Sequence, residues 1–378
     1  MEKVILIKCD SYDQDEVSEA MDKVFEHLGG IDKYIKKDNN VFIKSNLLMK
    51  KKPADAVTTH PVIIEEIAKR AAAAGADVVI GDSPGGFYNE DVLKGVYSSC
   101  GYNGIKKADN IRLNYNTSSK EVAFENGRVA KRLTIIEPAA DADLIINVPK
   151  IKTHMMMTYT GAVKNLFGLI PGALKAEYHL RMKDTQNFAQ LLVDICECSR
   201  PQLSIMDAVI GMEGEGPSAG KPRKVGLIIA STNPYALDVA ASHIIGIKPN
   251  EIPTVKAAKE RGLPANIKEI EIVGEDITNF IIKDFKLPDS LRDIRFSKNK
   301  VFGFLTEYLK PKLIFDREKC IACKRCMNHC PAKAVVIEGK QPVVDLSKCI
   351  RCFCCHELCP QKAIEIKKNW ILKTINKN

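Results

Sequence analysis

The sequence predicts an α/β domain built on a mostly parallel sheet, followed by a small α+β domain near the C-terminus. Two observations carry this. Before about residue 280, short β-branched apolar runs alternate with stretches of helical periodicity, the pattern of βα units around a parallel sheet. After residue 315 that pattern gives way to two cysteine runs, each reading C-x2-C-x2-C-x3-C-P. The first is Cys320, Cys323, Cys326 and Cys330, closed by Pro331; the second is Cys349, Cys352, Cys355 and Cys359, closed by Pro360.

The predicted strands of the first domain are Val41–Ile43, Asp77–Ile80, Leu144–Val148, Leu203–Met206 and Val225–Ile229, with helices over Val62–Ala74, Phe188–Cys198 and Ala236–Ile245. Polar groups follow every strand: Lys44 and Asn46; Asp82 and Ser83; Lys150, Lys152, Thr153 and His154; Asp207; and Ser231, Asn233 and Asp238. Ligands of open parallel sheets bind outside the carboxyl ends of the strands. Five such ends are therefore expected to line one rim.

The densest segment runs from Asn147 to His154 and on through Thr160–Gly168. Lys150, Lys152, His154 and Lys164 all fall inside it, with Asn165 beside them and Gly161 and Gly168 permitting close backbone approach. That chemistry suits an anion: phosphate, carboxylate or a nucleotide cofactor. A solvated loop with outward-pointing lysines is the competing reading, and His154 is either a general acid or a hydrogen-bonded structural residue. The candidate catalytic residues are His154, Lys152 and Lys164; the candidate substrate-binding residues are Lys44, Asn46, Asp82, Lys150, Asn165, Asp207 and Glu213. Glu213 belongs to a glycine-rich stretch, Gly211–Gly220, whose carboxylates Glu213 and Glu215 suit a metal or an acid–base pair, unless the stretch is a flexible lid. It lacks the Gly-Lys-Ser/Thr ending of a P-loop, and no GxGxxG follows the first strand. A flavin or other organic cofactor therefore has no motif here, although two-electron chemistry would call for one. Met155–Met157 reads as packing.

These stretches, together with Lys44-Ser-Asn46, Gly161–Asn165, Asp207 with Gly211–Gly220 and Asn233–Asp238, resemble family 362 among the domains of unknown function, often fused to a C-terminal ferredoxin module. The resemblance covers most of residues 1–280. It implies the fused architecture and supplies no substrate.

The cysteine spacing is that of cubane iron–sulfur clusters in bacterial ferredoxins. Structural zinc sites instead use cysteine pairs separated by a longer stretch. At one constant offset Ile321 repeats as Ile350, Lys333 as Lys362, Ala334 as Ala363 and Ile337 as Ile366, an internal duplication. Ala334–Glu338, Gly339 and Pro342–Asp345 read as strand, turn and strand. From Asp316 to Lys368 the chain resembles the two-cluster ferredoxins, in which the fourth cysteine of each run ligates the other cluster. The resemblance assigns Cys320, Cys323, Cys326 and Cys359 to one 4Fe-4S cluster and Cys349, Cys352, Cys355 and Cys330 to a second. Cys354 breaks the spacing and is expected to be a non-ligating thiol beside a cluster. The expected domains are 1–280, a packed linker over 281–315, the two-cluster ferredoxin-like domain over 316–368, and a tail over 369–378. Val301–Leu305 and the tail residues Trp370–Ile375 are expected to pack rather than hang free.

Composition narrows the setting. Of 378 residues, 45% are hydrophobic and 27% charged, ordinary for a globular protein of two or three domains. Met1–Lys8 is too short an apolar run for a signal peptide, and no stretch reaches the ~18 apolar residues of a membrane span. Eight of the 13 cysteines lie in the runs. Cys9 and Cys100 suit small buried hydrophobes, and the whole pattern fits the reducing cytoplasm of an anaerobe. The net charge of +9 is spread over dispersed lysines with only 6% aromatic residues, which argues against nucleic-acid binding. Residues 316–378 hold 13 Lys plus Arg against 6 Asp plus Glu, so an acidic electron carrier, ferredoxin or flavodoxin, is the expected partner.

The function expected is that of a ferredoxin-linked oxidoreductase acting on an anionic small molecule. The alternatives are an electron-transfer subunit or docking adaptor without a catalytic site, and a cluster-dependent sensor.

Overall fold

The computed structural model describes residues 1–105, 108–182, 184–288, 312–339 and 341–367. The chain begins with β1 (Glu2–Lys8), α1 (Gln14–Leu28), β2 (Asn40–Lys44), α2 (Pro61–Ala73), β3 (Asp77–Gly81), α3 (Glu90–Ser99) and β4 (Ile111–Leu113). A separate hairpin, β5 (Ser119–Ala123) and β6 (Arg132–Ile136), leads into α4 (Glu137–Ala140), β7 (Leu144–Asn147), β8 (Lys150–His154) and β9 (Thr158–Thr160). Then come α5 (Ala162–Asn165), α6 (Gly172–Arg181), α7 (Thr185–Ser199), β10 (Leu203–Glu213), β11 (Lys221–Ser231), α8 (Pro234–Ile244), α9 (Pro253–Lys259) and β12 (Ile270–Gly274).

The main sheet has the order β12-β1-β11-β10-β7-β2-β3-β4, with β8 added to β10 and β9 to β8. Strands β10, β7, β2, β3 and β4 run parallel, whereas β11 is antiparallel to both neighbours. The α/β class and mostly parallel sheet are thus present, with β11 reversed and the short β9 antiparallel to β8. Strand alternation sorts the apolar runs onto two faces: Val41 and Ile43 join a core with α1 and α2, while Phe42 points into the opposite core with α7. Helix α1 shows why such segments stop where they do. Val17, Ala20, Met21, Val24, Phe25 and Leu28 form one buried stripe, Asp13 caps the first turn by accepting from Asp15 and Glu16 N–H, and Gly29 ends the helix at φ 86°.

The reversal of β11 corrects one expectation. Its carboxyl end, Ser231, pairs with Ser204 at the start of β10, so Ser231 and Asn233 lie at the end opposite the predicted rim, where Asn233 caps α8. Asp238 is buried and accepts from the N–H groups of Ala162 (2.6 Å) and Val163 (3.1 Å), fixing α5.

The small α+β domain pairs β13 (Lys312–Phe315) with the later β16 (Ile364–Lys367), and β14 (Val335–Glu338) with β15 (Gln341–Val344). Two four-residue helices, α10 (Arg325–Asn328) and α11 (Cys354–Glu357), lie inside the cysteine runs. Strand β13 places Lys312–Phe315 within this domain, ahead of the expected start at residue 316. Upstream, Phe285 is buried in the large domain's core, with Leu287 packed against it. The expected packing of Val301–Leu305 and of Trp370–Ile375 falls outside the described residues.

The small domain is docked on the large one. Met155 is buried in a cluster with Leu313, Phe353, Cys355 and Ile364. Ser218 Oγ donates to the Glu357 carbonyl (2.8 Å), and Phe87 meets His329 edge-on at 5.0 Å.

Candidate functional site at the interdomain cleft

The segment Lys150–His154 is a strand, and all five of its residues are buried. This excludes the solvated-loop reading. Its alternate residues diverge in role. Lys150 Nζ pairs with Asp207 (2.9 Å) and donates to Tyr12 (2.6 Å), whose hydroxyl in turn donates to the other Asp207 oxygen (2.8 Å). His60 stacks on the Tyr12 ring at 3.7 Å. That network satisfies itself: Lys150 and Asp207, expected at the rim, neutralise one another in the interior and do not line the cleft. Glu213 also lies elsewhere, accepting from Lys286 N–H (3.1 Å).

Lys152 turns towards the cleft. Its Nζ donates to Asn46 Oδ1 (2.8 Å) and the Val57 carbonyl (2.7 Å), both neutral acceptors. Burial without a carboxylate partner, helped by the charge of Lys164, pushes its pKa down to about 7. Asn46 donates to Asn165 Oδ1 (2.8 Å), and Asn165 donates to Asn147 Oδ1 (2.8 Å), an amide chain tying β2, β7 and α5 together. Lys44, wholly buried at the end of β2, pairs with Asp82 at 2.8 Å, and Asp82 also accepts from Leu47 N–H (2.6 Å). A Cβ at Gly168 would collide with Asp82 and Lys44.

His154 sits beneath the second cysteine run. Its Nδ1 accepts from Met156 and Met157 N–H (3.1 and 3.2 Å), so the proton of the neutral ring lies on Nε2, which is 2.9 Å from Glu357 Oε1. Burial, reinforced by Lys164, pushes the His154 pKa down to about 4. Burial opposes ionisation of Glu357, but His154, Lys164 and His179 outweigh it and hold that carboxyl down at about 2. The pair at neutral pH is a neutral imidazole facing a carboxylate.

Together these groups border a cleft with about 840 Å³ of empty space, open to solvent. From the sequence-predicted set it brings together Asn46, Asp82, Lys152, Lys164 and Asn165. Lys44 lies behind Asp82, and His154 acts on the cleft only through Glu357. Lys175, His179, Ser83, Cys354 and Glu357 also line it, and of these only Ser83 and Cys354 drew any sequence-based expectation. Lys175 and His179 sit one helical turn apart on α6, the sole signal that could have found them; Glu357 carried none beyond its place inside a cysteine run.

The cysteine runs repeat each other in backbone as well as in spacing. Ala322 and Arg351 (φ 53° each), Lys324 and Phe353 (φ 60° each), and Lys333 and Lys362 (φ 49° and 51°) occupy the left-handed region in pairs, at the same offset that relates the two runs in sequence. Each such residue costs of order 1 kcal/mol and persists where surroundings over-determine it. Ala334 N–H donates to Cys330 Sγ and Ala363 N–H to Cys359 Sγ, both at 3.2 Å. One cavity is bordered by Cys320, Cys323, Cys326 and Cys359, and another by Cys330, Cys349, Cys352 and Cys355. Four thiols around each of two cavities suit a polynuclear iron–sulfur cluster. The residues fit the group.

A 4Fe-4S dicluster domain profile matches residues 312–360. The profile of the domain of unknown function DUF362 matches residues 41–243, more than half of the chain. The chain belongs to the DUF362 family. A thylakoid-associated protein of Synechocystis is 32% identical over 308 residues, covering 80% of this chain and 92% of that protein. Among solved structures, the lactate racemase apoprotein from Thermoanaerobacterium thermosaccharolyticum superposes with a TM-score of 0.42 at 14% identity, over 65% of this chain and 57% of that one. No described helix of this DUF362 protein is long and apolar enough to cross a membrane.

Proposed function

We propose that this DUF362 protein is a cytoplasmic ferredoxin-linked oxidoreductase acting on an anionic small molecule held between its domains. The reading rests on one observation above the others: Cys354 and Glu357, from the second cysteine run, form one wall of a cleft whose other wall holds Lys152, Lys164 and Lys175. In this reading Cys320, Cys323, Cys326 and Cys359 hold one 4Fe-4S cluster, and Cys349, Cys352, Cys355 and Cys330 hold the other. When bound, the clusters supply electrons singly to chemistry beside the second run.

The chain's own residues then have separable tasks. Lys164 and Lys175 hold the anion. Lys152, with a pKa near neutrality, holds or releases a proton at Nζ while Asn46 fixes its direction. Glu357 is kept ionised by Lys164, and His154 positions it. The basic small domain suits an acidic ferredoxin or flavodoxin as electron donor or acceptor, and reduction by such a carrier should slow as salt rises.

The test is Lys152→Ala and Lys164→Ala in protein purified anaerobically, with iron content and electron transfer from an acidic ferredoxin measured alongside turnover. An oxidoreductase loses turnover while both other properties persist. No turnover in the unsubstituted protein, with electron transfer unaffected in both variants, would favour a docking or electron-transfer subunit.

A further inference from the structure

The cleft's charge and its unpartnered polar atoms say more about what it accepts. Four lysines, Lys44, Lys152, Lys164 and Lys175, face two carboxylates, Asp82 and Glu357. Lys44 and Asp82 cancel as a pair at 2.8 Å. Glu357 offsets one of the remaining three cations, and burial disfavours the charged form of His154, His179 and His329, pushing the first two down to about 4. Below pH 7, where Lys152 and Lys175 as well as Lys164 are protonated, two positive charges are left without a counter-charge among the described residues.

Their positions are specific. Lys164 Nζ has no carboxylate within ion-pair distance among the described residues and lies 5.8 Å from the centre of the Phe167 ring. Lys175 approaches the same ring at 6.0 Å and donates only to the carbonyls of Ser83 and Pro84. Around them, Ser83 Oγ, Thr160 Oγ1 and His179 Nδ1 belong to residues 1%, 3% and 6% exposed, and none has a hydrogen-bond partner among the described residues. Buried polar atoms of native proteins are ordinarily satisfied, and an unmet one costs about 1–3 kcal/mol. Two uncompensated cations beside two free hydroxyls and a free imidazole nitrogen form an oxyanion site, not a generic polar cavity.

Resting on the reading of this cleft as the ligand site, we propose that the ligand is a compact dianion, a phosphate monoester or a dicarboxylate. Lys164 and Lys175 neutralise it across the Phe167 ring, Ser83 and Thr160 donate to its oxygens, and it lies against Cys354 at the second cysteine run. The site is composite, because Glu357 and Cys354 come from the small domain.

Isothermal titration of the full-length, cluster-loaded protein, kept anaerobic, with phosphate, succinate and acetate tests this. Phosphate or succinate should bind at least tenfold more tightly than acetate, and which of the two is preferred separates the two sources of the charge. Lys164→Met and Lys175→Met should each weaken dianion binding tenfold or more with the iron–sulfur absorbance unchanged; Ser83→Ala, a smaller change, should weaken it several-fold even if the lysine variants fold poorly. Equal affinity for mono- and dianions, or dianion binding indifferent to all three substitutions, overturns the proposal. Either result leaves the oxidoreductase reading to its own turnover test: redox turnover of a neutral or monoanionic compound would retain that reading and reject this one, whereas tight dianion binding without turnover would do the reverse.

Discussion

The first cysteine run lies largely open, meeting the large domain through His329, and the second is docked, although both have the same spacing and the same left-handed backbone positions. In the first, Ile321 is 60% exposed, and Cys323, Lys324 and Arg325 are all exposed. In the second, Phe353, Cys354 and Cys355 are buried, packed against Met155 or bordering the cleft. At equivalent positions Lys324 has become Phe353, Arg325 has become Cys354, and Asn328 has become Glu357. The cysteine frame is held constant while the residues between the cysteines diverge with their surroundings: cations where the run meets solvent, an apolar anchor, a thiol and a carboxylate where it meets the large domain. On the proposed function, the first copy is the one that meets a soluble partner and the second the one that meets the ligand.

The sharpest way to break the comparison is to remove one cysteine from each run. Cys355→Ser and Cys323→Ser should each lower iron from about eight to about four atoms per chain, as two cubanes require. Cys355→Ser should also abolish turnover and loosen the domain interface, because its side chain packs with Met155. Cys323→Ser should leave dianion binding intact. Titration calorimetry beside an iron assay checks both, and indistinguishable binding by the two variants would contradict the asymmetry.

Exchanging the equivalent residues is milder. Glu357→Asn removes the carboxylate from beneath Lys164 and beside His154, and should cut turnover about 100-fold, the scale of one lost charge-assisted contact. Asn328→Glu, on the exposed copy, should change it less than about twofold. A smaller contrast concerns packing. Met155→Ala should cost about 3 kcal/mol in a denaturant midpoint analysis, as a large-to-small change at a buried interface does, while Ile321→Ala should stay within about 0.5 kcal/mol.

The pH response is the gentlest probe. Lys152 and Lys175 both have pKa values pushed down to about 7 by burial, in a cleft also faced by Lys44, Asp82, His154, Lys164, His179, His329, Cys354 and Glu357. An anion binds best when both are protonated and raises their pKa values in doing so. Affinity for a ligand that stays dianionic over this range should therefore be level below pH 7 and fall above it, by about tenfold per pH unit for each lysine involved; a phosphate monoester also weakens below about pH 6 as it takes up its own proton. Stability of the ligand-free protein should move the other way. An unfolded lysine holds its proton to about pH 10.4, so between pH 7 and pH 10 the unfolded state binds more protons, and stability rises with pH. Calorimetric affinities and thermal midpoints across pH 6–10 measure both slopes.

Much of the fold was legible because parallel strands buried on both faces read as continuous β-branched runs. Val41–Ile43, Asp77–Ile80 and Leu144–Val148 all fall on observed strands with small differences at their ends. The direction of β11 was hidden, since an apolar run such as Val225–Ile229 says nothing about which way its neighbour points; only the long hairpin with β10 fixes it. The same limit governed the site. Lysines at strand ends were visible as a cluster, but Lys150 and Lys152 have identical local signatures, and their fates differ only because Asp207 lies opposite one and Asn46 opposite the other. Glu357 was invisible because its meaning depends on docking, which brings it from the far end of the chain to His154. Lys175 and His179 belong to a helix with no motif, brought to the cleft by tertiary packing.

The central claim is that the second cysteine run, through Cys354 and Glu357, supplies the small domain's main contacts to the ligand, whereas the first run reaches the cleft through His329. Electron paramagnetic resonance of the anaerobically reduced protein, titrated with phosphate or succinate, tests it most directly, with Cys323→Ser used to isolate the signal of the second run. The account predicts that dianion addition alters that signal in both wild type and Cys323→Ser, and that Lys164→Met abolishes the change. A ligand response that disappears in Cys323→Ser, and so belongs to the exposed run, would contradict it.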